Sequence, residues 1–400
     1  MTYTNRHNPA IDVRIASDLQ EISHAVVNEM GALVHSILLV GGFGRGEGSA
    51  CENTGAIKIL GDYDLFVCLN SRSMVRYAWY YRKHQPRLHR IAETLADRLG
   101  IKQIDLVIKH HAYFAHHGVP TLEQYEVRYG HMLLFGNEDP CDRMPEWPAQ
   151  HVPLEEFIRL LRNRGMGLLM AALYMESGDF LQNQRENFIL EVNKAWLAIG
   201  DLFMFRQGVY HYSYRQRLNH IREHPETIPP QWPQVRAHYQ KALEFKLSPE
   251  WDLFAQTDLK RWWLETKETW LAVLEEQETI RSGRPWNSWP EYARCSRERL
   301  PYRRIVTNLL RSSAADYRRL YQRMWNLSHP ATMLASISLL LQARDAAGVL
   351  SEPVRDMAAM WKWGRIQNAA HSWSSLAKMV LACMHPQGEV ARILSAQAQT

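Results

Sequence analysis

The sequence predicts an α/β N-terminal domain with a mixed sheet over residues 1–146, followed by a large all-α domain over residues 147–400 that is divisible near 285–300. Three observations predict it. Up to Gly136, short apolar runs of strand length alternate with longer stripes of helical period. Pro140, Pro145, Pro148 and Pro153 then punctuate the chain and set the boundary near Glu146. Beyond Pro153 every patterned stretch reads as helix.

Taken in order, Leu19, Ile22, Val26 and Met30 form a helical stripe from Ser17 to Met30, with Ser17 or Asp18 as its cap. Ile37 to Val40 is a continuous apolar run, the pattern of a buried strand, and it breaks into Gly41, Gly42, Phe43, Gly44, Arg45, Gly46 and Glu47. A helix is expected to start between Gly46 and Ala50, its free amides forming an anion site. The segment from Cys51 to Gly61 is polar, poorly patterned and reads as an insertion. Tyr63 to Leu69 is a second strand. The basic aromatic segment from Arg72 to Arg87 leads into a helix marked by Leu88, Ile91, Leu95 and Leu99 and stopped by Gly100. A third strand holds Asp105, and a fourth is expected around His131 to Phe135.

In the second half, LEEFIRLLRNRGMGLLMAALYM and the stretch from Asn187 to Phe205 are the first two helices, the latter carrying Lys194 and Asp201 on one face. GVYHYSYRQR is a loop entering a short helix. Leu259, Trp262, Trp263, Thr266, Trp270, Val273 and Leu274 form a Trp-rich stripe with Thr257 or Asp258 as cap. Stretches around Val306, Tyr317 to Trp325, Met333 to Ala343, Val354 to Trp361 and Ser374 to Cys383 continue the helical pattern.

Composition narrows the function classes. The 14 Trp, 17 Tyr and 11 Phe are bodies for packing between helices. A net charge of +5 favours anionic partners without choosing among nucleotides, RNA and acidic proteins. Five scattered cysteines contain no C-x-x-C, which argues against a disulfide framework and a zinc ribbon and fits a reducing cytoplasm. No secretory leader is expected at the polar N-terminus, and no apolar stretch approaches the roughly 20 residues of a membrane span.

The chemistry concentrates between Ile37 and Asp105. Asp62 and Asp64 are two apart at the start of a strand, so their carboxylates share a face, an arrangement suited to a divalent cation. Asp105, on a strand that can lie beside it, would aim a third carboxylate at the same spot. Strand-end capping is the bland alternative, but turn, pair and third acid occur in the order that phosphate chemistry needs. The G-x-G-x-x-G spacing of dinucleotide sites is missing from Gly42 onward. In-line phosphoryl displacement puts charge on the attacking and leaving oxygens, and cations on shared carboxylates stabilise both. Arg45 can neutralise phosphate or pair with Glu47. From the helical half, Lys194 is a candidate to close over a triphosphate and Tyr210 to stack on a base. His110, His111, His116 and His117 lack the acid or thiol that would complete a metal set. Arg294, Arg297, Arg299, Arg303, Arg304 and Arg311 form the densest basic run, a solvated face or a grip for RNA.

GG-F-GRGE followed by D-Y-D and a later strand aspartate resembles the nucleotidyltransferase superfamily typified by DNA polymerase β. The form of the turn is most similar to the bacterial nitrogen-sensing uridylyltransferases. The resemblance covers roughly a fifth to a quarter of the chain, and no His-Asp dipeptide marks the phosphohydrolase domain of those enzymes. It implies that Gly41, Gly42 and Arg45 hold the tail of a nucleoside triphosphate and that Asp62, Asp64 and Asp105 bind two Mg²⁺ (or Mn²⁺) ions. The implied activity is transfer of a nucleoside monophosphate to an acceptor hydroxyl with release of pyrophosphate. A small-molecule or protein acceptor is favoured over an RNA end. The rival from another class is a nucleotide-binding regulatory protein that has kept the fold and lost turnover.

Overall fold

A computed structural model describes residues 2–6, 8–53, 56–176, 182–295, 330–343 and 373–384. The chain divides into two compact units, Met1–Phe157 with Gly200–Ala255, and Ile158–Ile199 with Gln256–Thr400. The expected boundary at residue 146 does not coincide with these limits: residues 200–255, read from sequence as part of the helical domain, belong to the first unit.

Helix α1 (Pro9–Met30) opens the first unit. Asn8 caps it, accepting from the amides of Ala10 and Ile11, with Pro9 at the first helical position, where its missing amide costs nothing. The helix therefore starts eight residues before the expected Ser17. Asp18, expected as a cap, is buried instead, taking Arg14 Nε at 2.8 Å and the Tyr63 hydroxyl at 3.1 Å. Strand β1 (Val34–Val40) runs into the four-residue helical turn α2 (Gly41–Gly44). No helix starts between Gly46 and Ala50. The chain passes directly into the hairpin β2 (Ala50–Asn53) and β3 (Ala56–Ile59), which is the segment read as an unpatterned insertion.

Strand β4 (Tyr63–Leu69) is followed by α3 (Met74–Leu99), capped by Ser73 and stopped by Gly100 in the left-handed region. The basic aromatic segment is thus the first half of that helix. Strand β5 (Ile104–Lys109), the short α4 (His111–Phe114), α5 (Leu122–Tyr129) with its Thr121/Gln124 capping box, and β6 (Met132–Phe135) complete the α/β part.

The sheet has the order β5-β4-β1-β6 and is mixed: β1 lies antiparallel to β4 and β6, and β4 runs parallel to β5. One face carries Ile37, Leu39, Leu65, Val67, Leu106 and Ile108, and α1 and α3 cover it with Ile15, Leu19, Ile22, Val26, Leu88, Ala92 and Leu95. Each of these Leu, Ile and Val side chains contributes about 1.5–3 kcal/mol on burial, so the sheet's face is fixed and its register cannot slip without exposing it. The free edge of β5 is blunted by Gln85, whose side chain donates to the Leu106 carbonyl (2.6 Å) and accepts from the Ile108 amide (3.0 Å).

After Pro153 the described elements are helical. They are α6 (Leu154–Glu176), α7 (Gln182–Arg206), α8 (Tyr214–Glu223), α9 (Pro233–Leu247), α10 (Leu259–Ser282), α11 (Trp289–Cys295) and the helices Pro330–Ala343 and Trp373–Met384. Asp258 caps α10, as its sequence predicts. In the second unit the Trp stripe of α10 packs on α6, with Trp263 and Trp270 donating to the carbonyls of Leu168 and Leu161, both at 3.0 Å. Gly165 makes this approach possible, because a β-carbon there would stand 2.4 Å from the Trp270 ring. The expected helices around Val306, Tyr317 to Trp325 and Val354 to Trp361, and the basic run beyond Cys295, lie outside the described residues. Among the described residues no helix is long and apolar enough to cross a membrane.

Candidate active site

The three acids lie on the sheet face opposite the α1/α3 core. Along β4 the side chains of Tyr63, Leu65 and Val67 enter the core, so Asp64 and, one pleat earlier, Asp62 point the other way. The parallel register places Asp105 directly beside Asp64. Gln103 Nε2 holds the Asp105 carboxylate at 2.8 Å. Burial, then Asp62, then Asp105 push Asp64 up to about 7, against the opposing pull of Lys246 and Arg45. Asp62, Asp64 and Asp105 are thus brought together, and their mutual repulsion is incompletely relieved by the chain's own cations.

The glycine turn closes over this cluster. Gly41 has φ +68°, and a β-carbon on it would stand 2.4 Å from Asp64 Oδ2, so any side chain would collide with the carboxylate and strain the backbone. Phe43 anchors the turn, packing edge-on against Tyr63 with ring centroids 5.0 Å apart. Gly48 passes directly against the Phe43 ring, where a β-carbon would be 2.0 Å from Cδ1. The expected anion site at a helix start is absent, because α2 has only four residues and its Gly44–Gly48 continuation is an irregular loop. Gly41 lines the cluster instead through close backbone approach to Asp64, and Gly42 lies against Lys246.

Lys246, near the end of α9, completes the arrangement. Its Nζ lies 3.5 Å from where a β-carbon of Gly42 would stand, and its charge lowers the Asp64 pKa. Its carbonyl accepts from Ser49 Oγ at 2.8 Å, tying α9 to the loop after the glycine turn. Sequence reasoning missed this lysine. It sits in an ordinary amphipathic helix far along the chain, and no local pattern distinguishes it.

Three other expectations change. Arg45 does not pair with Glu47. Its guanidinium is buried and meets Glu126 Oε2 at 3.2 Å. Burial alone would lower its pKa, but Glu126 with Tyr214 outweighs that and holds it above its ordinary value. Glu47 is itself buried at the start of α8, accepting from the Ser213 hydroxyl and from the amides of Tyr214 (2.8 Å) and Arg215 (3.1 Å). Tyr210 is only 4% exposed and donates to Glu126 Oε1 at 2.7 Å, so it is a core residue with no face for a base. Lys194 belongs to the second unit, where it pairs with Glu191 at 2.7 Å on its own helix.

Arg45, Glu126 and Tyr210 form part of a larger buried network. Arg217 meets Asp201 at 2.6 Å, lies within 3.9 Å of Glu126 and donates to the Tyr212 carbonyl at 3.1 Å. Tyr239 donates to Asp201 at 2.7 Å. Burial favours the neutral Glu126 carboxyl, yet Arg45 and Arg217 overcome it and keep its pKa below the ordinary value. Comparison with family models, curated proteins and solved structures finds no match for this chain.

Proposed function

We propose that the protein is a Mg²⁺-dependent (or Mn²⁺-dependent) nucleotidyltransferase, moving a nucleoside monophosphate from a triphosphate to an acceptor hydroxyl and releasing pyrophosphate. The observation that supports it is the placing of Asp62, Asp64 and Asp105 side by side under the Gly41–Gly42 backbone, with Asp64 driven up to about 7 by burial and by its two neighbours. A protein that assembles three carboxylates without enough cations to balance them has built a site for external positive charge. Asp62, Asp64 and Asp105 would hold divalent cations, whose chemistry there is to neutralise charge on the attacking and leaving oxygens. Asp105, kept ready by Gln103, would take part in accepting the proton of the attacking hydroxyl. Gly41 lets the turn pack directly on the Asp64 carboxylate, and Lys246, beside Gly42, would carry positive charge to the departing pyrophosphate. The acceptor class favoured is a small molecule or a protein side chain.

The test is incubation of the purified chain with each labelled triphosphate, Mg²⁺ and a cell extract or metabolite library. Transfer that requires Mg²⁺ and falls at least about 10³-fold in Asp62→Asn, Asp64→Asn and Asp105→Asn, with the fold intact, is the expected result. Tight nucleotide binding with no transfer to any acceptor would instead identify a regulatory binder. Absence of both binding and transfer would remove the reading.

A further inference from the structure

We propose that His131, Asp139 and Cys141 form a second cation site, for one borderline-soft divalent ion of the zinc type. One donor atom from each lies within 4.8 Å of the other two. His131 follows α5, and Asp139 and Cys141 begin the 3₁₀ turn Pro140–Arg143, so β6 lies between the donors in the chain. None of the three belongs to the acid cluster.

The hydrogen bonding of His131 carries the argument. Its Nδ1 is 2.7 Å from the Val127 carbonyl oxygen, which can only accept, so Nδ1 holds a proton. In the neutral ring, Nε2 then turns a lone pair toward Asp139 Oδ2 at 2.7 Å. A lone pair facing a carboxylate oxygen requires a positive centre, either a second ring proton or a metal ion. A backbone carbonyl fixing the far ring nitrogen is the support that metal-ligating histidines use. Asp139 is oriented as well, its Oδ1 accepting from the Cys141 amide at 2.9 Å.

Cys141 tips the balance toward metal. Its thiol is wholly buried and stands beside the Asp139 carboxylate and the His131 ring. Without an ion the thiol donates to the Asp139 carboxylate; a divalent cation displaces that proton and gains a thiolate. Nitrogen, oxygen and sulfur donors together select a zinc-type ion over Mg²⁺, which prefers six oxygens. Tetrahedral ligand atoms on zinc are about 3.5 Å apart, so the His131 Nε2 to Asp139 Oδ2 contact of 2.7 Å opens to admit the ion. The ion would tie the two flanks of edge strand β6 together.

The full-length chain purified without chelator should carry about one zinc per molecule, released by chelation and absent in Cys141→Ser and His131→Gln. Asp62→Asn should retain it, which separates this site from the acid cluster. Because the two substitutions could impair folding, the chelated wild-type chain should also be titrated with Co²⁺. The expected result is a thiolate-to-cobalt charge-transfer band that saturates at one equivalent, is displaced by Zn²⁺ and not by Mg²⁺, and is accompanied by proton release. No thiolate band in the folded wild-type chain, or zinc content that survives Cys141→Ser, overturns the proposal.

Discussion

The first unit contains two clusters of half-buried and buried charge that are balanced differently. In the network around Arg217, every carboxylate meets a guanidinium: Asp201 and Glu126 face Arg217, and Glu126 also faces Arg45. At the sheet face, three carboxylates crowd together and Lys246 and Arg45 only partly balance them. The first arrangement pairs its acids from within the chain and ties Arg45, Glu126, Asp201, Tyr210 and Arg217 together. The second leaves the pKa of Asp64 raised by burial and by Asp62 and Asp105, which is the charge imbalance on which the proposed cation site rests. Glu126 and Asp64 are both half-buried acids, yet Arg45 and Arg217 hold the pKa of Glu126 below its ordinary value while burial and two neighbouring carboxylates raise that of Asp64. Asp201, wholly buried, is also raised by burial despite its pairing with Arg217.

The contrast is broken most directly by neutralising one member of each cluster. Asp64→Asn should abolish transfer and leave the fold standing. Arg217→Met should do the reverse, costing about 3–5 kcal/mol because Asp201 and Glu126 lose a buried partner. The check is a urea midpoint for each variant beside its transfer rate. Adding Asp201→Asn to Arg217→Met should recover part of the lost stability, since the stranded charge is then gone. If Arg217→Met leaves the midpoint unchanged, the network is not the structural element its pairing indicates.

Lys246 lies between the two clusters in character, and its replacement sharpens the division. Lys246→Met should raise KM for the triphosphate by about 10–100-fold, the size of one charge-assisted contact. Lys246→Arg should restore part of the loss. A change in stability without a change in KM would move Lys246 to the structural side.

The acid cluster should also betray itself through pH. Folded Asp64 keeps its proton up to about pH 7, whereas its ordinary value is 3.8. The folded state therefore binds more protons than the unfolded state between these values, and stability falls as pH rises through that window. The full penalty, on the order of 2 kcal/mol after discounting for partial screening, applies above pH 7. Metal-free Asp64→Asn should then be more stable than wild type at pH 8 and indistinguishable from it at pH 4. Mg²⁺ should raise the wild-type melting temperature more at pH 8 than at pH 5.

These two clusters differ just as much in how far the sequence discloses them. Asp62, Asp64 and Asp105 are legible because strand alternation and apolar flanks decide which way they point, and both are local. The mixed sheet and the helical second half are legible for the same reason. The hairpin of residues 50–59 is not, because its strands are four residues long and carry Glu52 and Lys58 where a buried run would be apolar. The early start of α3 is hidden by exposed Val75 and Trp79, which blur its stripe. The partners of Arg45 and Glu47 are set by tertiary contacts with residues beyond 120 and 210, and no spacing rule reaches that far. An arginine and a glutamate two apart in a glycine turn invite pairing on paper. In the fold the turn sends them to different elements.

Tyr210 gives the smallest effect and the cleanest separation of the two readings of an aromatic residue near the proposed site. A tyrosine that stacks on a base keeps its ring in Tyr210→Phe, and such a variant loses no stability. A core tyrosine whose hydroxyl serves Glu126 loses one hydrogen bond to a buried carboxylate, worth about 1–2 kcal/mol. The remaining partners of Glu126, Arg45 at 3.2 Å and Arg217 at 3.9 Å, keep its charge from being stranded, which holds the loss near the lower end of that range. Tyr210→Phe should therefore melt a few degrees lower and show unaltered preference among the four triphosphates. An unchanged melting temperature with an altered base preference would return Tyr210 to the site and weaken the division between paired and unpaired charge from which the other predictions start.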